Sequence, residues 1–255
     1  MNPVFVSALA EAGLTTENLA ARVGVDPKTA GRWANPGRIP QTRHRAEVAA
    51  ALGRTVAELW PEVLERRGPV WFHQWADLER EAVALRWYEL AWVPGLLQTE
   101  AYARATLAGE NLTPTEVDDL VAARIARQSI LHRDRPPLLV VVVDELVLRR
   151  TAGGDRGMMR EQCEHLARCA ALPSVQVHVV PDGTGLYAGH GGPFILADMP
   201  DGKRVAHVDG QAKAQIIEQR AEMATLDRRW ARITGLALPI AQSLALITEA
   251  ADSWR

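Results

Sequence analysis

The residues around Gly24 limit the fold of this chain more than any other feature of the sequence. Thr15 is a favoured N-cap residue, and Gly24 is a natural residue at a helix end. Asp26-Pro27 then starts a second helix, because Asp accepts from the free N–H groups of the first turn and Pro fits the first helical position. The pattern predicts two short helices joined by a tight turn, which is a helix-turn-helix.

The second helix of this motif has the pattern of a helix that enters the major groove of DNA. Such a helix inserts its N-terminal end first, so it needs polar or small outward residues and an apolar back. Val25, Ala30 and Trp33 supply that back. Arg32 is long enough for a bidentate contact with guanine, and the arginines that follow the helix are expected on phosphates. The residues expected to contact DNA are Thr16, Lys28, Thr29, Gly31, Arg32, Arg38, Arg43 and Arg45. The alternative is that they are solvent-facing residues of a small helical bundle.

The charge distribution favours a local DNA-binding patch over a uniformly basic protein. The chain of 255 residues has a net charge of −2. Residues 20–45 nevertheless hold six Lys or Arg and one acid. A small basic patch on a mildly acidic protein still attracts a duplex.

Composition excludes several classes of protein. Hydrophobic residues make up 47% and charged residues 24%, which is ordinary for a folded protein and not for a disordered one. No apolar run approaches the roughly 18 residues of a membrane helix, and the first residues lack the pattern of a signal peptide. Two cysteines do not make a disulfide framework. We expect a cytoplasmic protein without a membrane segment.

A change of pattern at residues 66–69 predicts two domains, 1–67 and 68–255. The fold class expected is α+β: an N-terminal all-α helix-turn-helix domain, then a larger domain with a mixed sheet and several helices. Helices are predicted over 4–12, 16–23, 27–33, 42–52 and 56–60, and in the second domain over 70–84, 94–108, 114–133, 156–171, 213–233 and 239–254. Strands are predicted over 84–92, 138–143, 175–180, 194–199 and 204–208.

Two clusters in the second domain are weighed against simpler explanations. Cys163 and Cys169 lie about 120° apart around a predicted helix, so buried cysteines are favoured over metal ligands. Asp144-Glu145 follows an apolar strand and His190 lies in a glycine-rich loop, so these residues define a possible catalytic pocket. No catalytic residue, metal or cofactor is predicted.

Tryptophans are concentrated just after the predicted domain boundary. Large aromatic side chains dominate binding pockets and interaction hot spots, and they also dominate hydrophobic cores. Core or interdomain packing is therefore the alternative to a binding site. The candidate partner- or ligand-binding residues are Trp71, Trp75, Trp87 and Trp92.

The segment GLTTENLAARVGVDPKTAGRWANPGRIPQTRHRAEVAAALG resembles the DNA-binding domain of Xre-type (Cro/C1-like) regulators of the actinobacterial kind. The downstream region resembles the C-terminal domain of unassigned function that follows it in many of these regulators. WVPGLLQTEAYARATL, ARIARQSIL, DELVLRR, GPFILADM and a final Ser-x-x-x-Ile carry that likeness. Gly31 and Ala34 depart from the family, which usually has a polar residue and Glu at these positions.

The resemblance implies a transcriptional regulator of the antitoxin-like kind, often encoded beside a small partner protein. We therefore expect sequence-specific binding to a double-stranded DNA operator, a homodimer, and a second domain that binds a small partner protein or an unidentified small ligand. Two alternatives stay open. One is a partner-sequestering protein whose DNA-binding domain is degenerate, and the other is an enzyme with a pocket in the second domain.

Overall fold

The computed structural model describes residues 2–35, 38–60, 70–151, 154–210 and 214–255, with Thr42, Arg43, Ala46, Ala57 and residues 70–74 described by their backbone alone. The chain divides into two compact units, Met1–Gly68 and Pro69–Arg255, called unit 1 and unit 2 below. Among the described residues, no helix combines the length and the apolar character that crossing a membrane requires.

Unit 1 consists of short helices around one apolar core, as predicted. Phe5 and Trp60 are fully buried there, with ring centroids 5.6 Å apart. The helices are α1 (Pro3–Glu11), α2 (Thr16–Val23), α3 (Pro27–Arg32), α4 (Thr42–Ala51) and α5 (Val56–Leu59).

Unit 2 is a six-stranded mixed sheet with helices on both faces, so the predicted α+β class is confirmed. Its helices are α6 (Val70–Glu81), α7 (Glu100–Leu107), α8 (Pro114–Arg127), α9 (Leu146–Arg149), α10 (Arg156–Cys169), α11 (Arg220–Thr234) and α12 (Ile240–Ser253). Its strands are β1 (Ala84–Glu89), β2 (Leu138–Asp144), β3 (Val175–Val180), β4 (Phe194–Asp198), β5 (Arg204–Val208) and β6 (Gln215–Ile217).

The sheet has the order β3-β2-β1-β4-β5-β6 and changes direction at β1. Strand β1 pairs in parallel with β2 and antiparallel with β4. Alternate residues of β2 enter two separate cores, Val141 on the face covered by α10 and α12, and Val142 on the face covered by α11. Burial on both faces explains why the sequence of β2 is a continuous apolar run.

Two predicted helices of unit 2 begin differently in the structure. Residues 94–108 form a 3-10 turn at Gly95–Leu97 and then α7, because the Thr99 side chain accepts from the Tyr102 N–H and caps a new helix. The helix predicted over 213–233 is wrong at its start. Gln215–Ile217 pair with β5 as an edge strand, so α11 begins only at Arg220.

Ser243 hydrogen-bonds to the free edge of strand β3, the edge that pairs with no other strand. Its hydroxyl accepts from the Val179 N–H at 3.0 Å and donates to the Leu238 carbonyl at 3.0 Å. Ser243 and Ile247, the two named residues of the Ser-x-x-x-Ile segment, are fully buried. Through Ser243, α12 therefore satisfies a backbone N–H at the edge of the sheet that would otherwise have no hydrogen-bond partner.

We expect Ser243→Ala to destabilise unit 2 by about 1–3 kcal/mol, because the substitution leaves a buried N–H without its acceptor. Ser253→Ala is the matched control, since the Ser253 hydroxyl donates to the Ala250 carbonyl at the end of the same helix. Native-state hydrogen exchange of the β3 amides measures both effects. Equal protection in the two variants would contradict this role of Ser243.

Candidate nucleic-acid interface

The corner between α2 and α3 has the local geometry that the sequence predicted. Thr15 caps α2, and Gly24 ends it in the left-handed conformation with φ 69°. Asp26 caps α3 by accepting from the Lys28 N–H at 2.8 Å, and Pro27 occupies its first position. The backbone bond from the Val25 N–H to the Ala20 carbonyl at 3.0 Å completes the turn.

Helix α3 has an apolar back and a polar outer surface. Ala30 and Trp33 are buried in the core of unit 1, and Val25 packs against it. Lys28, Thr29 and Arg32 are exposed, and Gly31 is half-buried. Lys28 and Arg32 lie one turn apart on the same side of the helix, so two cations point away from the core together.

The other predicted DNA-contacting residues have different surroundings. Arg38 is exposed, whereas Arg45 is half-buried and its Nε donates to the Pro40 carbonyl at 2.8 Å, which stabilises the loop before α4. Thr16 is half-buried at the first position of α2. The side chain of Arg43 lies outside the described part of the structure.

The backbone requires glycine at only one of the two positions 24 and 31. Gly24 adopts a positive φ, a conformation in which other residues are strained. Gly31 has no positive φ, and a Cβ built on it meets nothing within 4 Å. Packing within unit 1 therefore does not require glycine at position 31.

We expect Gly31→Ala to stabilise unit 1 by up to about 1 kcal/mol, because Ala is the better helix former. Gly24→Ala should destabilise it by about 1 kcal/mol or more, since Ala is strained in the left-handed conformation. Chemical denaturation of the two variants tests the contrast. A loss of stability in Gly31→Ala would show a packing role for this glycine.

The tryptophans proposed for a partner or ligand site do not form one exposed surface. Trp75 and Trp87 are 1% and 6% exposed and belong to the core of unit 2. Trp92 is 43% exposed, and the side chain of Trp71 is outside the described part of the structure. Core packing, the alternative weighed for this cluster, accounts for Trp75 and Trp87.

Two of the segments that carry the family resemblance meet in unit 2. Arg124 donates to the Gln98 Oε1 at 3.0 Å and to the Thr106 hydroxyl at 2.8 Å. Gln128 donates to the carbonyls of Gly95 and Gln98 at 3.2 and 2.7 Å. A polar network thus joins residues 92–107 to residues 123–131. The two segments pack together although they are separated along the sequence.

A comparison with known protein families identifies this part of the chain. Residues 72–249, more than half of the sequence, match the family described as Domain of unknown function (DUF5753). The chain belongs to the DUF5753 family. Searches of curated proteins and of solved structures find no significant match.

The acids considered for a catalytic pocket make structural bonds in the DUF5753 domain. Asp144 accepts from the Tyr187 hydroxyl at 2.6 Å. Glu145 accepts from Arg149 at 2.8 Å and from the Asp182 N–H at 3.0 Å. His190 is exposed and its ring lies 4.7 Å from the ring of Tyr187. These bonds fix the loop after β3 and the start of α9.

The cysteines of α10 are buried in the same domain. The Cys169 Sγ lies 3.4 Å from the His165 Nε2, and Cys163 belongs to the hydrophobic core. Burial raises the pKa of the Cys163 thiol to about 12, so the thiol stays protonated at neutral pH. In the part of the chain that the structure describes, no group of three or more His, Cys, Asp or Glu is placed to hold a metal.

Glu89, at the end of β1, is a buried carboxyl that sequence analysis missed. It is 6% exposed, and its Oε1 accepts from the Trp87 Nε1 at 3.3 Å. The Oε2 has no hydrogen-bond partner among the described residues. Burial, with a further contribution from the negative charge of Asp209, raises the pKa of Glu89 from 4.5 to about 8. The signal available in the sequence was an acid at the end of a buried strand.

The raised pKa of Glu89 predicts a pH dependence of stability. Between about pH 4.5 and pH 8 the folded state holds the Glu89 proton more tightly than the unfolded state. Stability is therefore lost as the pH rises through this range, by at most about 1.4 kcal/mol per pH unit from this group. We expect Glu89→Gln to be more stable than the native chain at about pH 8 and to lose that advantage at about pH 4.5.

Denaturation of both proteins across this pH range measures the difference. Glu161→Gln, which removes an exposed carboxylate of α10, is the matched control. A constant difference between Glu89→Gln and the native chain at every pH would contradict the buried, protonated carboxyl.

Proposed function

We propose that the protein is a sequence-specific DNA-binding transcriptional regulator. Unit 1 acts as a helix-turn-helix domain of the Xre type, and the DUF5753 domain supplies dimerisation and binds a small partner protein or an unidentified small ligand. The protein acts in the cytoplasm, where its operator is accessible. The observation that carries the proposal is the α2–α3 corner, with a buried apolar back and Lys28, Thr29 and Arg32 exposed on α3.

Lys28, Thr29 and Arg32 each have a chemical role in this proposal. Arg32 reads a guanine, because its planar guanidinium matches the O6 and N7 acceptors in the major groove. Thr29 contacts a base edge or a thymine methyl group, and Lys28 adds a second cation near the groove. Arg38, outside α3, contacts a phosphate, which adds affinity without reading sequence.

Dimerisation supplies the affinity that one small reading surface lacks. A monomeric helix of six residues presents few side chains to base edges. Two copies of the chain bind two half-sites that lie about one turn of DNA apart, and the contacts of both copies add to the binding free energy. The operator is therefore expected to be a two-fold repeat.

The DNA-binding role is tested with a duplex that the full chain selects from a random library and with a scrambled duplex of the same composition. Arg32→Ala should weaken binding to the selected duplex by about 10- to 100-fold more than binding to the scrambled one, since a bidentate guanine contact contributes about 1–3 kcal/mol of discrimination. Arg38→Ala should weaken both equally and reduce the salt slope by about one, because one phosphate contact is lost.

The outcome also separates the proposal from the alternative of a partner-sequestering protein with a degenerate DNA-binding domain. An equal loss on both duplexes for Arg32→Ala would make Arg32 a phosphate contact and leave Lys28 and Thr29 to read bases. Failure of the native chain to enrich any sequence would favour the protein whose DNA-binding domain is degenerate.

A further inference from the structure

Two arginines one turn apart on α8 differ in their partners. Arg127 makes a bidentate ion pair with Glu79 of α6, at 2.8 and 2.6 Å. Arg124 donates through one nitrogen to Gln98 and Thr106, and no Asp or Glu among the described residues forms an ion pair with it. Burial, with a further contribution from the charge of Arg127, lowers the pKa of Arg124 to about 10. The Arg124 guanidinium is therefore a desolvated cation without a paired anion.

A chain of hydrogen bonds connects Arg124 to the loop after β1. The Gln98 Oε1 accepts from Arg124, and the Gln98 Nε2 donates to the Val93 carbonyl at 2.6 Å. The Val93 N–H donates in turn to the Tyr102 hydroxyl at 3.2 Å. Tyr102 is 2% exposed, and its hydroxyl donates to no acceptor among the described residues. A second donor without an acceptor thus lies in the surroundings of Arg124.

Glu89 contributes a third group of this kind. Its Oε1 accepts from the Trp87 Nε1, and its Oε2 has no partner among the described residues. Because the pKa of Glu89 is raised to about 8, the carboxyl is mostly protonated at neutral pH and has a proton to donate. A Cβ built on Gly95 would lie 3.9 Å from the Trp87 ring and 3.9 Å from the Arg124 side chain. Glu89 and Arg124 therefore lie around the same indole ring.

The position of these groups in the sheet is one where ligands commonly bind. Glu89 is the last residue of β1, the strand at which the sheet changes direction. In open α/β sheets, ligands bind beyond the carboxyl ends of the strands at such a change. Arg124 is only half-buried, so the group can be reached from solvent. Trp92, beside Val93 in the loop after β1, is 43% exposed and adds apolar surface.

We propose that unit 2 binds a small carboxylate at Arg124, with the Tyr102 hydroxyl and the Glu89 carboxyl as further donors. All three groups donate at neutral pH, so they require an acceptor, and the unpaired guanidinium favours a negative charge. A carboxylate meets both conditions, because its two oxygens match the planar fork of Arg. The rings of Trp87 and Trp92 favour a ligand with an apolar body. The inference rests on the ligand-binding role in the proposed function and names the chemical class of that ligand.

Calorimetry of the full chain with benzoate tests the site. Benzoate should bind with a dissociation constant of about 1 mM or lower. Benzamide, which has nearly the same shape and no charge, should bind at least about 10-fold more weakly. Arg124→Gln should weaken benzoate binding by about 10- to 100-fold, since hydrogen bonds to a charged group are lost. Arg104→Gln is the matched control, because Arg104 pairs with Asp118 on the surface, and it should bind benzoate like the native chain.

The pH dependence of binding tests the site in the native chain, whether or not Arg124→Gln folds. Benzoate stays ionised from about pH 6 to pH 9, as carboxylates do. Glu89 loses its proton near pH 8 and then repels a bound carboxylate. The affinity should therefore fall as the pH rises from 7 to 9, by up to about 10-fold per pH unit. Glu89→Gln should remove this dependence, because the amide keeps a donor and does not ionise.

The other titratable groups around Glu89 and Tyr102 do not produce this change. Burial raises the pKa of Tyr102 and raises that of Cys163 to about 12, so both stay protonated up to pH 9. Burial lowers the pKa of His207, which therefore stays neutral above pH 7. The charged groups that complete the surroundings are Asp209, Arg124 and Arg150.

Each result supports the site or overturns it. A native chain that does not bind benzoate, that binds benzamide equally well, or that keeps its affinity in a folded Arg124→Gln would overturn the inference. An affinity that does not change with pH would remove Glu89 from the site. A preference for inorganic phosphate over benzoate would overturn the choice of a carboxylate.

The site and the proposed function can fail separately. Benzoate binding with the expected pattern, in a chain that selects no DNA sequence, would leave this inference standing and refute the proposed regulator. Selection of a DNA sequence by a chain that does not bind benzoate would refute the carboxylate site alone.

Discussion

The pairing of β1 with strands of opposite direction is the constraint on which unit 2 depends. Because β1 runs parallel to β2 and antiparallel to β4, it joins the three parallel strands to the antiparallel β4–β6 part of the sheet. Its residues alternate between the faces, so Trp87 and Glu89 enter one core while Arg86 and Tyr88 face the other side. A shift of one residue in this register would exchange the two sets and place the charged side chain of Arg86 in the core that Trp87 occupies.

A charge network stabilises this strand on the α11 side. Arg86 bonds to Asp198 of β4 at 2.9 Å, and Arg204 of β5 bonds to the same carboxylate at 3.0 Å. Arg204 also makes a bidentate contact with Asp227 of α11, at 2.9 and 2.6 Å. The two arginines and two aspartates balance in charge, and they connect three strands to one helix. Deleting one member would leave the others with uncompensated, partly buried charge, so the network helps to define the register.

The two units of the proposed regulator differ in how their charged side chains are placed. In unit 1, exposed cations surround an apolar corner, which is a surface suited to a polyanion. In unit 2, by contrast, one ion pair lies in the interior: the side chains of Arg127 and Glu79 meet at 2.6 Å, and Glu79 is almost completely buried. In the proposed regulator, unit 1 therefore contacts the DNA and unit 2 supplies the folded second domain.

Local signals in the sequence were sufficient for most of the secondary structure. Asp26-Pro27, Thr55 and Thr113-Pro114 start helices through their own side chains and backbone geometry, so the sequence identifies those starts. The apolar run of β2 likewise predicts a strand, because burial on both faces requires it. The exposed polar side of α3 could also be predicted, since the helical period separates it from Ala30 and Trp33.

Tertiary structure decided what depends on partners far along the chain. Gln215–Ile217 form a strand only because β5 offers an unpaired edge, and no local signal distinguishes them from the start of α11. The burial of Trp75 and Trp87 and the unsatisfied Oε2 of Glu89 follow from packing between elements that are distant in sequence. Local propensity determines where a helix starts, whereas the neighbours that a fold brings together determine which of its sides remains exposed.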